Sequence, residues 1–149
     1  MSLFIQIFPR KFLTSFVPIF HNFRGNLYNF LHWAKNMKVT LLIPTLNEVI
    51  GMKEIMPKVK RDWCDQILVV DGQSTDGTIE YSRQQGYDVV VQQKKGMRNA
   101  YMEALPHVKG DVILTFSPDG NSIPELIPDC IKKMKEGYDM VIVSRYAEG

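Results

Sequence analysis

Thr115-Phe116-Ser117-Pro118-Asp119-Gly120-Asn121-Ser122 closes a hydrophobic run that begins at Val112. The run reads as a buried strand, and it stops abruptly at a carboxylate held in a Pro-Asp-Gly turn. Two other apolar runs end the same way. Val39 to Ile43 exits through Pro44-Thr45-Leu46-Asn47-Glu48, and Gln66 to Val70 exits through Asp71-Gly72-Gln73-Ser74-Thr75-Asp76-Gly77-Thr78. Three strand ends carrying oxygen-bearing side chains describe a nucleotide pocket as well as a fold.

Working outward, strands alternate with helices. Helical spacing over Ile50, Ile55, Met56 and Val59 follows the first strand, with Pro57 bending or ending that helix. A helix opens at Asp76-Gly77-Thr78, capped by Asp76 or Ser74, and stops near Gly86. Asp88 to Val91 is a third strand, Arg98 to Leu105 a short helix ended by Pro106, and Asp111 to Phe116 the fourth strand. A helix over Ile123 to Lys135 and a fifth strand over Asp139 to Val143 complete the pattern. Continuous apolar strands between helices predict an α/β domain with a mostly parallel sheet and helices on both faces. Ligands of such sheets bind outside the carboxyl ends of the strands, where the strand order reverses.

The polar ends differ in what they offer. Asn47 and Glu48 suit capping of the next helix. A carboxylate at Asp71 can accept hydrogen bonds from a base N–H or a ribose hydroxyl. Gly72 and Gly77 allow close backbone approach. Lys94-Lys95-Gly96-Met97-Arg98-Asn99 sets a glycine and an arginine at a helix start, where backbone N–H groups and a guanidinium meet phosphate. Asp119 and Asn121 are hard oxygen ligands of the kind Mg²⁺ or Mn²⁺ takes.

Composition narrows the classes. With 149 residues the chain suits one domain, and 45% hydrophobic with 23% charged residues is ordinary for a globular protein. Residues 1–36 hold Arg10, Lys11, Arg24 and Lys35 and no acid, so all 16 acids face 14 basic residues in 37–149. A domain without basic excess argues against nucleic-acid binding. Cys64 and Cys130 match no metal-ligand spacing and read as reduced thiols of a cytoplasmic protein. No apolar run reaches the ~18 residues of a membrane helix.

Residues 1–36 are a different kind of sequence. Phe4, Phe8, Phe12, Phe16 and Phe20 recur every four residues, a drifting aromatic stripe on a helix interrupted by Pro9 and Pro18. Three readings stand: a disordered extension ahead of a natural start at Met37, an arm on an anionic membrane surface, and a presequence.

From Met37 to Gly149 the chain resembles the family-2 glycosyltransferases of the GT-A fold, and within them the polyprenyl-phosphate, dolichyl-phosphate mannose synthase-like branch. Ile43 to Glu48 and Val70 to Thr78 carry the resemblance most specifically, followed by Lys95-Gly96-Met97-Arg98-Asn99 and Ser117-Pro118-Asp119. The resemblance implies a Rossmann-like nucleotide-sugar-binding domain, C-terminally incomplete, acting at the cytoplasmic face of a membrane on a nucleoside-diphosphate sugar. It implies that Pro44, Thr45, Asn47 and Glu48 line the nucleotide pocket, that Asp71 contacts the base with Gly72 and Ser74 beside it, and that Gly96 and Arg98 lie near the diphosphate. Asp119 and Asn121 would hold Mg²⁺ or Mn²⁺, and Arg145 would lie near a donor or acceptor phosphate. Transfer with inversion to a polyprenyl-phosphate or glycan acceptor follows from the same resemblance. Ser117 stands where the family carries the first acid of its metal motif, and no residue takes the role of catalytic base. A non-catalytic nucleotide-sugar-binding fragment and a sugar nucleotidyltransferase are the alternatives; Pro-Thr-Leu-Asn-Glu in place of a glycine-rich loop counts against the second.

Overall fold

The structure is a computed structural model and describes residues 4–8 and 27–144. Arg145 and most of the phenylalanine series therefore lie outside the described residues. Chain contacts divide the molecule into two units, one of residues 38–125 and one combining 1–37 with 126–149.

The first unit is built on four parallel strands: β2 (Val39–Thr45), β3 (Gln66–Asp71), β4 (Asp88–Val91) and β5 (Val112–Thr115), in the order β4-β3-β2-β5. Three helices connect them: α2 (Val49–Ile55), α3 (Thr78–Gln84) and α4 (Met97–Ala104). β2 and β3 are buried on both faces, which is why they read as unbroken apolar runs. Alternation assigns the faces. Leu42, Leu68 and Val70 pack on Ala100 and Ala104 of α4. Leu41, Ile43 and Val69 point to the opposite face and are fully buried. α2 and α3 pack on each other. The path steps β2 to β3 to β4, then α4 carries it back past β2 to β5. Right-handed crossovers place α2 and α3 on one face and α4 on the other. Strand order thus reverses between β2 and β5, with the ligand crevice expected at their carboxyl ends.

Prolines set the helix lengths. Pro57 turns the end of the first predicted helix into a 3-10 turn over Met56–Lys58, and Pro106 does the same over Leu105–His107. At the opposite end of the sheet the buried Gln66 side chain is saturated. Its Oε1 accepts from Thr40 Oγ1 at 2.7 Å and Lys109 N at 2.9 Å, while its Nε2 donates to Asp88 Oδ2 at 2.6 Å and His107 O at 3.0 Å. Hydrogen bonds from Lys109 and Gln66 hold the Asp88 carboxyl below its usual range.

The second unit contains β1 (Phe4–Phe8), α1 (Leu27–Asn36), α5 (Ile127–Lys135) and β6 (Met140–Ser144). The fifth strand read from the sequence does not extend the parallel sheet. It pairs antiparallel with β1, Phe4 opposite Ser144 and Phe8 opposite Met140. The helical reading of the aromatic stripe is likewise corrected at Phe4–Phe8. Isoleucine and phenylalanine around one glutamine favour a strand once a partner is present. The helix expected from Ile123 begins at Ile127, after a 3-10 turn over Pro124–Leu126. Asp129 in its first turn and Lys132, Lys133 and Lys135 in its last suit the helix dipole.

Candidate functional site

A cleft of about 670 Å³ opens at the carboxyl ends of the parallel strands, a size that suits a nucleotide-sized ligand. Every residue lining it belongs to the 38–125 unit, at the place where strand order reverses.

One wall is formed by the loops after β2 and β3. Gly72 N donates to Thr45 O at 2.8 Å, and Thr45 Oγ1 donates to Asp71 Oδ2 at 2.8 Å. Ser74 donates its N–H to Asp71 Oδ1 and its hydroxyl to Oδ2, each at 2.7 Å. The same hydroxyl accepts from Asn47 N at 2.7 Å, and Asn47 Oδ1 accepts from Thr75 N at 2.9 Å. Glu48 N then donates to Thr78 Oγ1 at 2.9 Å, and Val49 N to Asp76 Oδ2 at 3.0 Å. The two loops are stitched along their whole length.

This stitching revises the capping expected from the sequence. Glu48 is the residue before α2 and makes no side-chain cap. Asn47 sits in the left-handed region at φ 55°, where its carboxamide serves Thr75 instead. The orphan N–H groups at the start of α2 are satisfied by Asp76 and Thr78 of the neighbouring loop. Asp76 also accepts from Thr78 N and Thr78 Oγ1, so it caps α3 from one residue upstream of Gly77. Desolvation pushes the Asp76 carboxyl up, but hydrogen bonds from the Thr78 hydroxyl, Val49 N–H and Thr78 N–H hold it below its usual range.

The second wall is the segment from Gln92 to Met97. Gln92 is buried, and its amide donates to Lys94 O at 2.7 Å. Glu103, the penultimate residue of α4, accepts from Gln93 N at 2.5 Å and Lys94 N at 3.0 Å. Those two N–H groups lower the Glu103 carboxyl. Gly96 turns at φ 106° immediately before α4, a conformation that favours glycine.

The third element follows β5. Phe116 N donates to Leu42 O at 3.0 Å, Ser117 faces the cleft, and Pro118 is fully buried. Asp119, Gly120 and Asn121 are exposed. Asn121 N donates to Asp119 Oδ1 at 2.9 Å. Desolvation raises the Asp119 carboxyl, while the N–H and side chain of Asn121 and the Ser117 hydroxyl bring it below the ordinary carboxylate range.

The sequence-read residues fall into two sets. Pro44, Thr45, Glu48, Gly72 and Gly96 line the cleft. Asp71, Asn47 and Ser74 lie outside its lining: Asp71 is fully buried beneath the loops, and Asn47 and Ser74 bridge them. Arg98 is exposed and also outside the lining, where Lys95 stands instead. Asp119 and Asn121 lie beyond Ser117, on the exposed part of the loop. Sequence reasoning passed over Gln73, Gln92 and Glu103 as site residues, and it quoted Lys95 only as part of the Lys95-Gly96-Met97-Arg98-Asn99 segment. For Glu103 the signal was weak, an acid within reach of a loop that carries two lysines. Among the described residues no three His, Cys, Asp or Glu side chains gather into a metal-holding group.

The family model described as Glycosyl transferase family 2 matches residues 40–149. Glycosyltransferase AglJ of Haloferax volcanii is 33% identical over 111 residues, covering 74% of this chain and 37% of its own. The dolichol-phosphate mannosyltransferase of Pyrococcus furiosus is 33% identical over 121 residues, covering 76% of this chain and 34% of its own. The chain thus spans about a third of the length of these relatives. Among solved structures, glucosyl-3-phosphoglycerate synthase from Mycobacterium tuberculosis with Mn²⁺, UDP and glucosyl-3-phosphoglycerate superposes with a TM-score of 0.61 at 20% identity, over 78% of this chain and 46% of that one. Its complex with Mg²⁺ and UDP gives 0.60 at 23% identity, over 76% and 45%. At those identities the likeness is one of fold.

Proposed function

The chain belongs to glycosyl transferase family 2 and has its GT-A fold, and from that premise we propose that the cleft binds a nucleoside-diphosphate sugar as donor for transfer to a phosphate-bearing acceptor. The carrying observation is the cleft at the strand-order reversal, walled by the stitched loops on one side and by Lys95, Gly96 and Ser117 on the other. The mycobacterial neighbour, which holds UDP and a divalent ion, supports this class of donor.

The roles divide by position. Thr45, Leu46, Gly72 and Gln73 offer the nucleoside a preformed wall. Asp71 acts on it indirectly, by holding Thr45 and Ser74 in place, because its carboxylate is already committed to them. Lys95 and the turn at Gly96 face the diphosphate, with a charge and a helix start that favour anions. The lowered Asp119 carboxyl keeps a negative oxygen at the cleft edge throughout the neutral range.

A divalent cation fits this donor set only together with the ligand. Asp119 is a single exposed carboxylate, Asn121 adds a carboxamide, and Mg²⁺ characteristically takes one or two carboxylates and completes its shell with phosphate oxygens and water. Held by Asp119 and Asn121, such an ion supplies Lewis-acid stabilisation of a diphosphate leaving group. Lys95 adds fixed positive charge for the same purpose. Inversion at the anomeric carbon follows from direct displacement by the acceptor. A phosphate acceptor is anionic at neutral pH and needs no general base. This agrees with the dolichol-phosphate mannosyltransferase among the relatives. A membrane-surface acceptor is compatible with the fold, in which no helix of the described residues is long and apolar enough to cross a bilayer.

Titration calorimetry with UDP and GDP, with and without Mn²⁺, tests the reading. One nucleotide should bind, with affinity raised at least tenfold by Mn²⁺ in the wild type. Turnover with a polyprenyl phosphate is measured separately, so that binding and transfer are judged apart. Absence of binding by either nucleotide would sink the proposal.

A further inference from the structure

Gly51 is the third residue of α2, and glycine within a helix costs about 0.5–1 kcal/mol relative to alanine. Its surroundings supply the reason. A β-carbon there would stand 2.0 Å from the Pro118 carbonyl oxygen and 3.1 Å from its carbonyl carbon. Both are backbone atoms, so no rotamer change relieves the clash. We propose that Gly51 is a positioning residue: the space left by its missing side chain receives the Pro118 carbonyl and so sets where Ser117 and Asp119 stand at the edge of the cleft. The proposal rests on the reading of Asp119 as the carboxylate that holds cation and diphosphate.

What would yield to a side chain at position 51 follows from what is pinned. The start of α2 is tied to the neighbouring loop through Glu48 N and Val49 N. Met52 and Met56 are 0% and 1% exposed, so the helix is fixed in the core as well. On the other side, Phe116 N is fixed to Leu42 O. The segment free to move is therefore Ser117 to Asn121, which carries Asp119. Alanine at 51 should improve the helix locally and displace the loop.

The test uses the whole chain and three readouts: chemical unfolding, backbone amide NMR, and titration of UDP and GDP with and without Mn²⁺. Gly51→Ala should fold, shift the amide resonances of Ser117 and Asp119 to Asn121, keep the metal-free affinity for the nucleotide that the wild type binds within about twofold, and lose most of the Mn²⁺ enhancement. Lys53→Ala, exposed on the same helix, should change none of these. Unmoved loop resonances in Gly51→Ala overturn the proposal whatever the nucleotide does. Moved resonances in a chain whose wild type shows no Mn²⁺ enhancement uphold Gly51's hold on the loop and overturn the reading of Asp119. If Gly51→Ala does not fold, Pro118→Gly tests the same hold with α2 untouched, and full Mn²⁺ enhancement in it counts against the proposal.

Discussion

The wall built from the β2 and β3 loops and the segment that follows β5 face the same cleft but are made differently. In the first, Thr45, Asn47, Glu48 and Val49 each bond to a residue between Asp71 and Thr78, and the acid at its centre, Asp71, is fully buried. In the second, a buried proline carries an exposed carboxylate that accepts a backbone N–H from its own turn. Burial and cross-linking give the first wall its shape before any ligand arrives, which favours recognition without an ordering penalty. Exposure leaves the second with a charge that solvent and ligand can still reach. The lesson is that carboxylates at equivalent strand ends serve opposite purposes according to how their hydrogen bonds are used.

The difference can be broken most forcefully at Asp71. Asp71→Ala would leave Thr45 Oγ1 and both Ser74 donors without their acceptor in a buried place. The expected loss is about 3 kcal/mol, read from urea unfolding. A loss below about 1 kcal/mol would mean the wall is held by something else. Thr78→Val comes next. It removes the acceptor of Glu48 N and the hydroxyl bonded to Asp76, with an expected loss of about 1–2 kcal/mol in the same measurement.

A smaller effect is expected from acid. The Asp76 carboxyl is lower in the folded chain than in an unfolded one. Between the two values the unfolded state binds more protons, so the contribution is fully present above about pH 4 and is lost as pH falls through the folded value. Because Asp76 is exposed, the size is modest. Asp76→Asn should flatten that part of the pH–stability curve; an unchanged acid limb would remove Asp76 from the stitching.

The strands were legible because β2 and β3 are apolar on both faces, and α3 because Asp76-Gly77-Thr78 announces its start. The site was legible only in part. Asp71 looked like a ligand-facing acid, but it pairs with Thr45 across the β2–β3 ladder, and its carboxylate is fully buried and taken up by Thr45 Oγ1 and both Ser74 donors. Register of that kind is set by tertiary pairing and is not written in either strand alone. Asn47 looked like a cap, yet its left-handed backbone turns its carboxamide toward Thr75. Gly51 carried no sequence signal, because the Pro118 carbonyl that explains it lies 67 residues away in sequence. The β1–β6 pair escaped for the same reason: two strands from opposite ends of the sequence find each other only in the folded chain.

Asp119→Ala sharpens the contrast from the other side, and its expected effect on stability is the smallest. The side chain is exposed, and its hydrogen bonds are local to the turn. Removing it should change unfolding free energy by no more than about 0.5 kcal/mol, as for surface positions generally. Binding should respond in the opposite proportion. If the carboxylate serves the cation and diphosphate, the variant keeps the metal-free affinity for nucleotide, which the stitched wall provides, and loses the Mn²⁺ enhancement. Asp71→Ala should do the reverse, weakening nucleotide binding with and without Mn²⁺ alike because the wall itself loosens. A variant of Asp119 that destabilised the fold as much as Asp71→Ala would erase the distinction, since the acid after β5 would then be a structural anchor like the acid after β3.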